Sequence, residues 1–323
     1  MADLFRATEK QYRARGNDHK NARQRRRDAL LQNDRVDYSN VMDVHVIDAN
    51  LPANASRIRQ LPVSSSTNYS ILDPSAAQLY EIDGLDGLQV ITNAMPVATQ
   101  VAWAFRAVRD YSQQPYNNVT NLSGDRGATQ SLWTDAWHEA TRGSMKEFHA
   151  LRWANIGAHY DWTAREYVDD PLIPALPAEL KQLVHEVYAM TGLTDGKMAE
   201  SAIVNFYPAG TCMGGHLDNA EEDMMTPIVS LSLGTQCIYL QGGLTKSDAP
   251  TALWLRSGDI IVMGGKSRRC FHGVPLVTSE LPTAFADCTQ DLKTHFSDAE
   301  VDAFAAYMAH ARVNINLRRV GSM

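Results

Sequence analysis

The sequence predicts an α+β chain, a β-sandwich or jelly-roll barrel with supporting helices that come first. Two observations predict it. From residue 200 onward, short apolar runs bounded by Gly, Pro or Asp follow one another: AIVNFYP, PIVSLSLG, QCIYLQGG, ALWLRSGD, DIIVMGG, CFHGVPLV and ARVNINLRR. Seven or eight strands at that spacing make a sandwich or barrel. Before them, ATQVAWAFRAVRDYS (98–112) places Val101, Trp103, Ala104, Val108 and Tyr111 at helical spacing, and PAELKQLVHEVYAM (about 178–191) is a second helical stretch. Such helices pack on one face of a sheet.

Residues 1–35 carry ten Lys/Arg and five Asp/Glu, a balance of +5 on a body that carries −12, for −7 in all. The expectation is a basic N-terminal arm, helical or disordered, spanning 1–45. It would contact phosphate or act as a nuclear address centred on Arg23, Arg25, Arg26 and Arg27. The Pro-, Ser- and Asn-rich stretch 50–75 reads as a linker, and 117–131 (NNVTNLSGDRGATQS) reads as a loop. An apolar share of 44% with 21% charged residues is that of a soluble globular protein. No apolar run is long enough for a membrane span, and the first twenty residues lack the apolar core of a secretory signal. Cys212, Cys237, Cys270 and Cys288 form no CxxC pair. This argues against a zinc ribbon or disulfide framework and fits a reducing compartment.

The stretch NFYPAGTCMGGHLDNAEED (205–223) contains His216 and Asp218. Residues i and i+2 of a strand project from the same face, so both side chains can turn toward one ion. A third ligand is then needed, and His272 in RRCFHGVP is the best placed of the ten histidines, 54 residues beyond Asp218. Two histidines and one carboxylate with open positions suit a non-haem Fe(II) centre. RVNINLR (312–318) alternates apolar residues with Arg312, Asn314, Asn316 and Arg318. Guanidinium forks grip carboxylates, so this face could hold a dicarboxylate. Asn205 and Tyr207 share a face by the same period and add an amide and a phenol.

N-x-Y, H-x-D, a distal His and R-x-N-x-x-x-R in this order resemble the AlkB family of Fe(II)- and 2-oxoglutarate-dependent dioxygenases. LRWANIGAHYDW (151–162), IVSLSLGTQCIYLQGGL, APTALWLRSGDIIVMGGKSR and ARVNINLRRV are similar to its branch containing animal AlkB homologue 1, over about residues 80–320. The resemblance implies a double-stranded β-helix (jelly-roll) barrel at about 201–320, within a dioxygenase domain at 46–323 whose helical support and recognition lid occupy about 76–200. It implies Fe(II) on His216, Asp218 and His272. It also implies 2-oxoglutarate with its far carboxylate on Arg312, hydrogen bonds from Asn205 and Tyr207, Asn314 alongside, and Arg318 near the metal end. Six residues of strand span about 20 Å, too far for both arginines to hold one end of a small diacid. The implied reaction decarboxylates 2-oxoglutarate to succinate while a substrate methyl group is hydroxylated; an N-methyl group then leaves as formaldehyde.

A base inside a duplex cannot reach such an iron, so the implied partner is DNA or RNA with methylated bases that are unpaired or flipped. Trp153, His159, Tyr160 and Trp162 are candidates for stacking on the base, Arg152 for phosphate, and Glu221 for a contact near the base. Many direct-repair members carry an acidic residue two positions after the metal aspartate. Here Ala220 stands there, followed by Glu221 and Glu222. That favours the homologue-1 branch, with N6-methyladenine in DNA or methylated tRNA bases as substrates. The alternatives are an oxygenase of a basic protein such as a histone, and a non-catalytic nucleic-acid-binding module. The expected compartment is the nucleus, with mitochondrion or cytoplasm as alternatives.

Overall fold

The computed structural model describes residues 2–13, 36–64, 68–113, 116, 132–140, 148–161, 166–168, 174–193 and 197–321. The early strands are β1 (Ile58–Leu61), β2 (Gln78–Ile82), β3 (Leu88–Thr92), β4 (Trp153–Gly157), β5 (His159–Asp161) and β6 (Glu166–Val168). The barrel strands follow: β7 (Ser201–Pro208), β8 (Met213–His216), β9 (Ile228–Gly234), β10 (Cys237–Gln241), β11 (Thr251–Leu255), β12 (Ile260–Met263), β13 (His272–Val277) and β14 (Ala311–Arg318).

A large sheet has the order β1-β2-β3-β12-β9-β14-β7-β4, and a small one the order β11-β10-β13-β8. The eight barrel strands thus divide four and four between two facing antiparallel sheets, which is the double-stranded β-helix the motifs implied. The hairpin β5–β6 forms a separate ribbon.

Period-2 alternation decides what each face of the large sheet meets. On β14, Val313, Ile315 and Leu317 are buried against a helical layer, while Arg312, Asn314, Asn316 and Arg318 face the other sheet. The helical layer is α3 (Val97–Arg109), α4 (Leu132–Ala140), α5 (Ala178–Thr191), α6 (Thr283–Thr289) and α7 (Asp298–Met308); α1 (Leu4–Tyr12) and the short α2 (Pro52–Ala55) precede it. Helix α3 buries Val101, Ala104 and Val108 as its spacing predicts. Helix α5 ends where Gly192 takes φ 72°, the left-handed turn that lets the chain leave a helix. Among the described residues, no helix is long and apolar enough to cross a membrane.

Of the arm expected at 1–45, helical or disordered, residues 4–12 are helical and rest on the body. Helix α1, capped by Asp3 accepting from the Arg6 amide at 2.8 Å, packs on the outer face of the small sheet. Its Phe5 and Tyr12 join Val41, Ile238, Leu240 and Leu276 in one apolar cluster. The basic run at Arg23–Arg27 lies outside the described residues, as do residues 117–131.

The stretch 50–75, expected as a linker, is ordered into defined elements where it is described. Residues 58–61 pair with β2 as the edge strand β1. The turn at 70–72 is held by Glu186 of α5, which is fully buried. Its carboxylate accepts from the amides of Ser70 (2.7 Å), Ile71 (3.0 Å) and Leu72 (2.8 Å), and from Gln182 Nε2 at 3.0 Å. Polar composition hid this turn, because its backbone amides are satisfied by a side chain 114 residues away.

Burial pushes the Glu186 carboxyl up, but the hydrogen bonds from Gln182, Ser70 and Leu72 outweigh it and hold the group below the usual carboxylate range. A depressed folded value means its stabilisation is complete well above the unfolded pKa of about 4.3 and is lost as pH falls through the folded value. Glu186→Gln should therefore lower stability by about 2–4 kcal/mol at pH 7. Urea melts should show that gap narrowing below about pH 4; a gap constant with pH would refute the assignment.

Candidate metal and co-substrate centre

Strand β8 ends on His216 and β13 begins on His272, and their antiparallel register sets these residues directly opposite each other. The ring centroids lie 4.3 Å apart. Asp218 closes the group: its Oδ1 is 3.8 Å from His216 Nε2 and its Oδ2 is 3.6 Å from His272 Nε2. One ligand atom from each residue lies within 4.8 Å of the others. The same-strand argument for His216 and Asp218 needs correction, because β8 stops at His216. Asp218 sits in the following loop, and Arg318 secures it, with Nη2 3.1 Å from Oδ2.

Both imidazoles turn Nδ1 toward a backbone carbonyl, Gly214 at 2.9 Å for His216 and Cys270 at 3.3 Å for His272. With a proton on Nδ1, each Nε2 lone pair faces the point shared with Asp218. Burial and the adjacent His272 ring push the His216 imidazole down to about 4, so it is neutral at physiological pH. Burial alone would raise the Asp218 carboxyl, but Arg318 and the two imidazoles outweigh it and hold the group well below the usual range. Imidazole nitrogens with one ionised carboxylate fit a divalent ion such as Fe(II).

Beside this group lies a cavity of about 350 Å³ between the sheets. Arg312 is 2% exposed. Its Nη2 donates to Ser232 Oγ at 2.9 Å, and its guanidinium lies 5.2 Å from the centre of the Tyr207 ring. Its Nε and Nη1 are buried without a hydrogen-bond partner among the described residues. An underpaired buried guanidinium is costly, and a carboxylate relieves it best.

Asn314 is fixed by donating from Nδ2 to Ser230 Oγ and to the Leu231 carbonyl, each at 2.9 Å, while its Oδ1 accepts from Asn205 Nδ2 at 3.4 Å. Burial pushes the Tyr207 phenol up to about 12 despite the pull of Arg312, which keeps it a proton donor. Arg318 also pairs with Glu221, Nη1 to Oε1 at 2.8 Å. All five residues expected to hold the co-substrate, Asn205, Tyr207, Arg312, Asn314 and Arg318, line the cavity together with His216, Asp218 and His272.

The expected substrate side divides. Trp153 and Tyr160 line the cavity. His159 and Arg152 are not among its lining residues; on β5, His159 projects to the face opposite Tyr160. Arg152 is exposed, and its charge acts on Tyr307 of the helical layer. Trp162 lies outside the described residues. Glu221 is 4% exposed, and both its oxygens are engaged: Oε1 by Tyr167 Oη (2.9 Å) and Arg318, Oε2 by Arg268 (3.0 Å). It lines the cavity beside Asp218 with both oxygens paired to Tyr167, Arg318 and Arg268.

Sequence reasoning missed Ser230, Ser232, Tyr167 and Arg268. The serines carried a signal, because S-x-S inside IVSLSLG repeats the polar alternation of β14, its neighbour in the sheet. Tyr167 and Arg268 carried none; their partners are 54 and 47 residues away.

A family model described as the 2OG-Fe(II) oxygenase superfamily matches residues 87–318. The chain is 32% identical to the DNA N(6)-methyladenine demethylase ALKBH1A of Arabidopsis thaliana, over 88% of each protein. It is 33% identical to the nucleic acid dioxygenase ALKBH1 of Homo sapiens, over 81% of this chain and 72% of the human one. With the tRNA demethylase abh1 of Schizosaccharomyces pombe it shares 37% identity over 53% of each.

Proposed function

Because the chain belongs to the 2OG-Fe(II) oxygenase superfamily, in the AlkB homologue 1 branch, we propose that it oxidatively demethylates bases in nucleic acid, with N6-methyladenine in DNA or methylated tRNA bases as substrates. One observation carries this reading: three ligand atoms converge within 4.8 Å beside a buried Arg312 that has two unpaired nitrogens. The relatives' names point the same way, one a DNA N(6)-methyladenine demethylase and another a tRNA demethylase.

His216, Asp218 and His272 would hold Fe(II). When bound, it supplies oxygen activation coupled to decarboxylation of 2-oxoglutarate to succinate. The chain's own groups bind and orient. Arg312, with Tyr207 and Asn205, receives the far carboxylate of the co-substrate, and Arg318 keeps the Asp218 oxygens turned to the metal side. Trp153 and Tyr160 offer aromatic surface for an unpaired or flipped base. The basic run around Arg23–Arg27 is proposed as a nuclear address, with mitochondrion and cytoplasm the alternatives.

The test incubates the full chain, Fe(II) and 2-oxoglutarate with single-stranded N6-methyladenine DNA, methylated tRNA and methylated histone peptides. Succinate and formaldehyde are then measured in each arm. Stoichiometric release with a nucleic acid and background with peptide is the expected result. Turnover confined to the peptide would overturn the substrate assignment, and no co-substrate consumption in any arm would overturn the enzyme.

A further inference from the structure

Arg268 lies in a 3-10 turn (Ser267–Arg269) four residues ahead of His272, with its side chain 1% exposed. Three hydrogen bonds fix it. Its backbone amide donates to the Gly264 carbonyl at 3.1 Å, Nη1 donates to the Asp218 carbonyl, and Nη2 meets Glu221 Oε2 at 3.0 Å. The guanidinium therefore bridges two separate stretches of chain. One is the loop bearing Asp218; the other is the turn that runs into His272. Glu221 is its counter-charge and at the same time that of Arg318, whose second contact is Asp218 Oδ2. No sheet hydrogen bond can do this work, because Asp218 lies past the end of β8 and Arg268 lies before the start of β13.

We propose that Arg268 is a positioning residue for the metal centre: braced by Glu221, it clasps the Asp218 loop to the turn leading into His272, so that the three ligand atoms are set before a metal arrives. This rests on the iron-site reading above. A planar fork suits the task, since it makes two directed contacts at a fixed angle, whereas an ammonium is a point charge on a flexible stem. The simplest electrostatic reading predicts the opposite effect for its removal. Arg268 is a positive charge beside a cation site, so on Coulomb's law alone its loss should tighten metal binding. A clasp predicts loosening, because partners that orient metal ligands typically contribute about 10–100-fold to affinity.

The experiment titrates metal-free full-length protein with Co(II), following the visible d–d band and the heat of binding, for wild type, Arg268→Met and Arg268→Lys. The clasp predicts affinity about 10-fold weaker or more in Arg268→Met with a changed d–d spectrum, and a smaller loss, about 3- to 10-fold, in Arg268→Lys. Unchanged or tighter Co(II) binding with the wild-type spectrum would overturn it, whatever happens to the melting temperature. If circular dichroism shows that Arg268→Met does not fold, Arg268→Lys and Glu221→Gln decide on the same criteria. Wild type that binds no Co(II) would overturn the iron-site reading itself, a different failure from wild type and variants binding alike.

Discussion

His216→Ala should leave a folded protein that neither retains iron nor consumes 2-oxoglutarate, with turnover reduced on the order of 10³-fold or more, equivalent to about 4 kcal/mol of barrier. The choice among the three ligands is deliberate. His216 has a side chain 38% exposed, and its one close hydrogen bond is to the carbonyl of Gly214, two residues away. Asp218 is tied to Arg318, and removing one partner of a buried ion pair costs about 3–5 kcal/mol. An Asp218→Ala variant would thus mix unfolding with loss of chemistry, whereas His216→Ala separates them. The measurements are succinate by mass spectrometry, bound iron, and a thermal melt of the metal-free protein. A variant that melts like wild type and still turns over within 10-fold would show that His216 is not a ligand.

Arg312→Met should act in opposite directions on binding and on stability. Charge-assisted hydrogen bonds to a carboxylate contribute about 1.5–3 kcal/mol each, and Arg312 has two unpaired nitrogens for them. Their loss should raise the KM for 2-oxoglutarate by about 10²-fold or more. In the free protein the same guanidinium is buried with, among the described residues, one hydrogen bond to Ser232 and no carboxylate in contact. Replacing a poorly paired buried charge by an apolar side chain of similar length is neutral or stabilising, by up to about 4 kcal/mol. Arg312→Met should therefore melt no lower than wild type without co-substrate, and should lose the rise in melting temperature that saturating 2-oxoglutarate produces in wild type. A lower melting temperature in the free variant, or an unchanged KM, would mean that Arg312 serves the fold and not the diacid.

What was legible in the sequence follows from the reach of its regularities. Strand and helix periods act within a single element, so β14 could be read face by face, and α3 and α5 came out where their apolar spacing put them. Motif spacing carried the fold and the converging triad, since His216 and His272 end and begin the two strands that pair. What the sequence left unread shares a cause. Of the expected stacking residues, Trp153 and Tyr160 line the cavity, whereas His159, beside Tyr160 on β5, falls on the other face. Glu221 pairs with Arg268 and Arg318, 47 and 97 residues away, which its distance from Asp218 along the chain does not reveal. Residues 58–61 and 70–72 read as linker by composition, yet their order comes from an edge pairing and from Glu186. Contacts at such separations leave no local trace in a single chain.

The placement of α1 bears on how the protein is handled at the bench. Phe5 rests on Gly215 and Gly242; a methyl group added to either glycine would come within 2.4 and 2.8 Å of that ring. Glu9 Oε2 lies 3.4 Å from the Gly215 amide, one residue from His216. An affinity tag or fluorescent fusion joined directly ahead of Leu4 would thus load a wedge seated behind an imidazole donor. Assays repeated once a leading tag has been cleaved guard against mistaking a displaced helix for a weak enzyme.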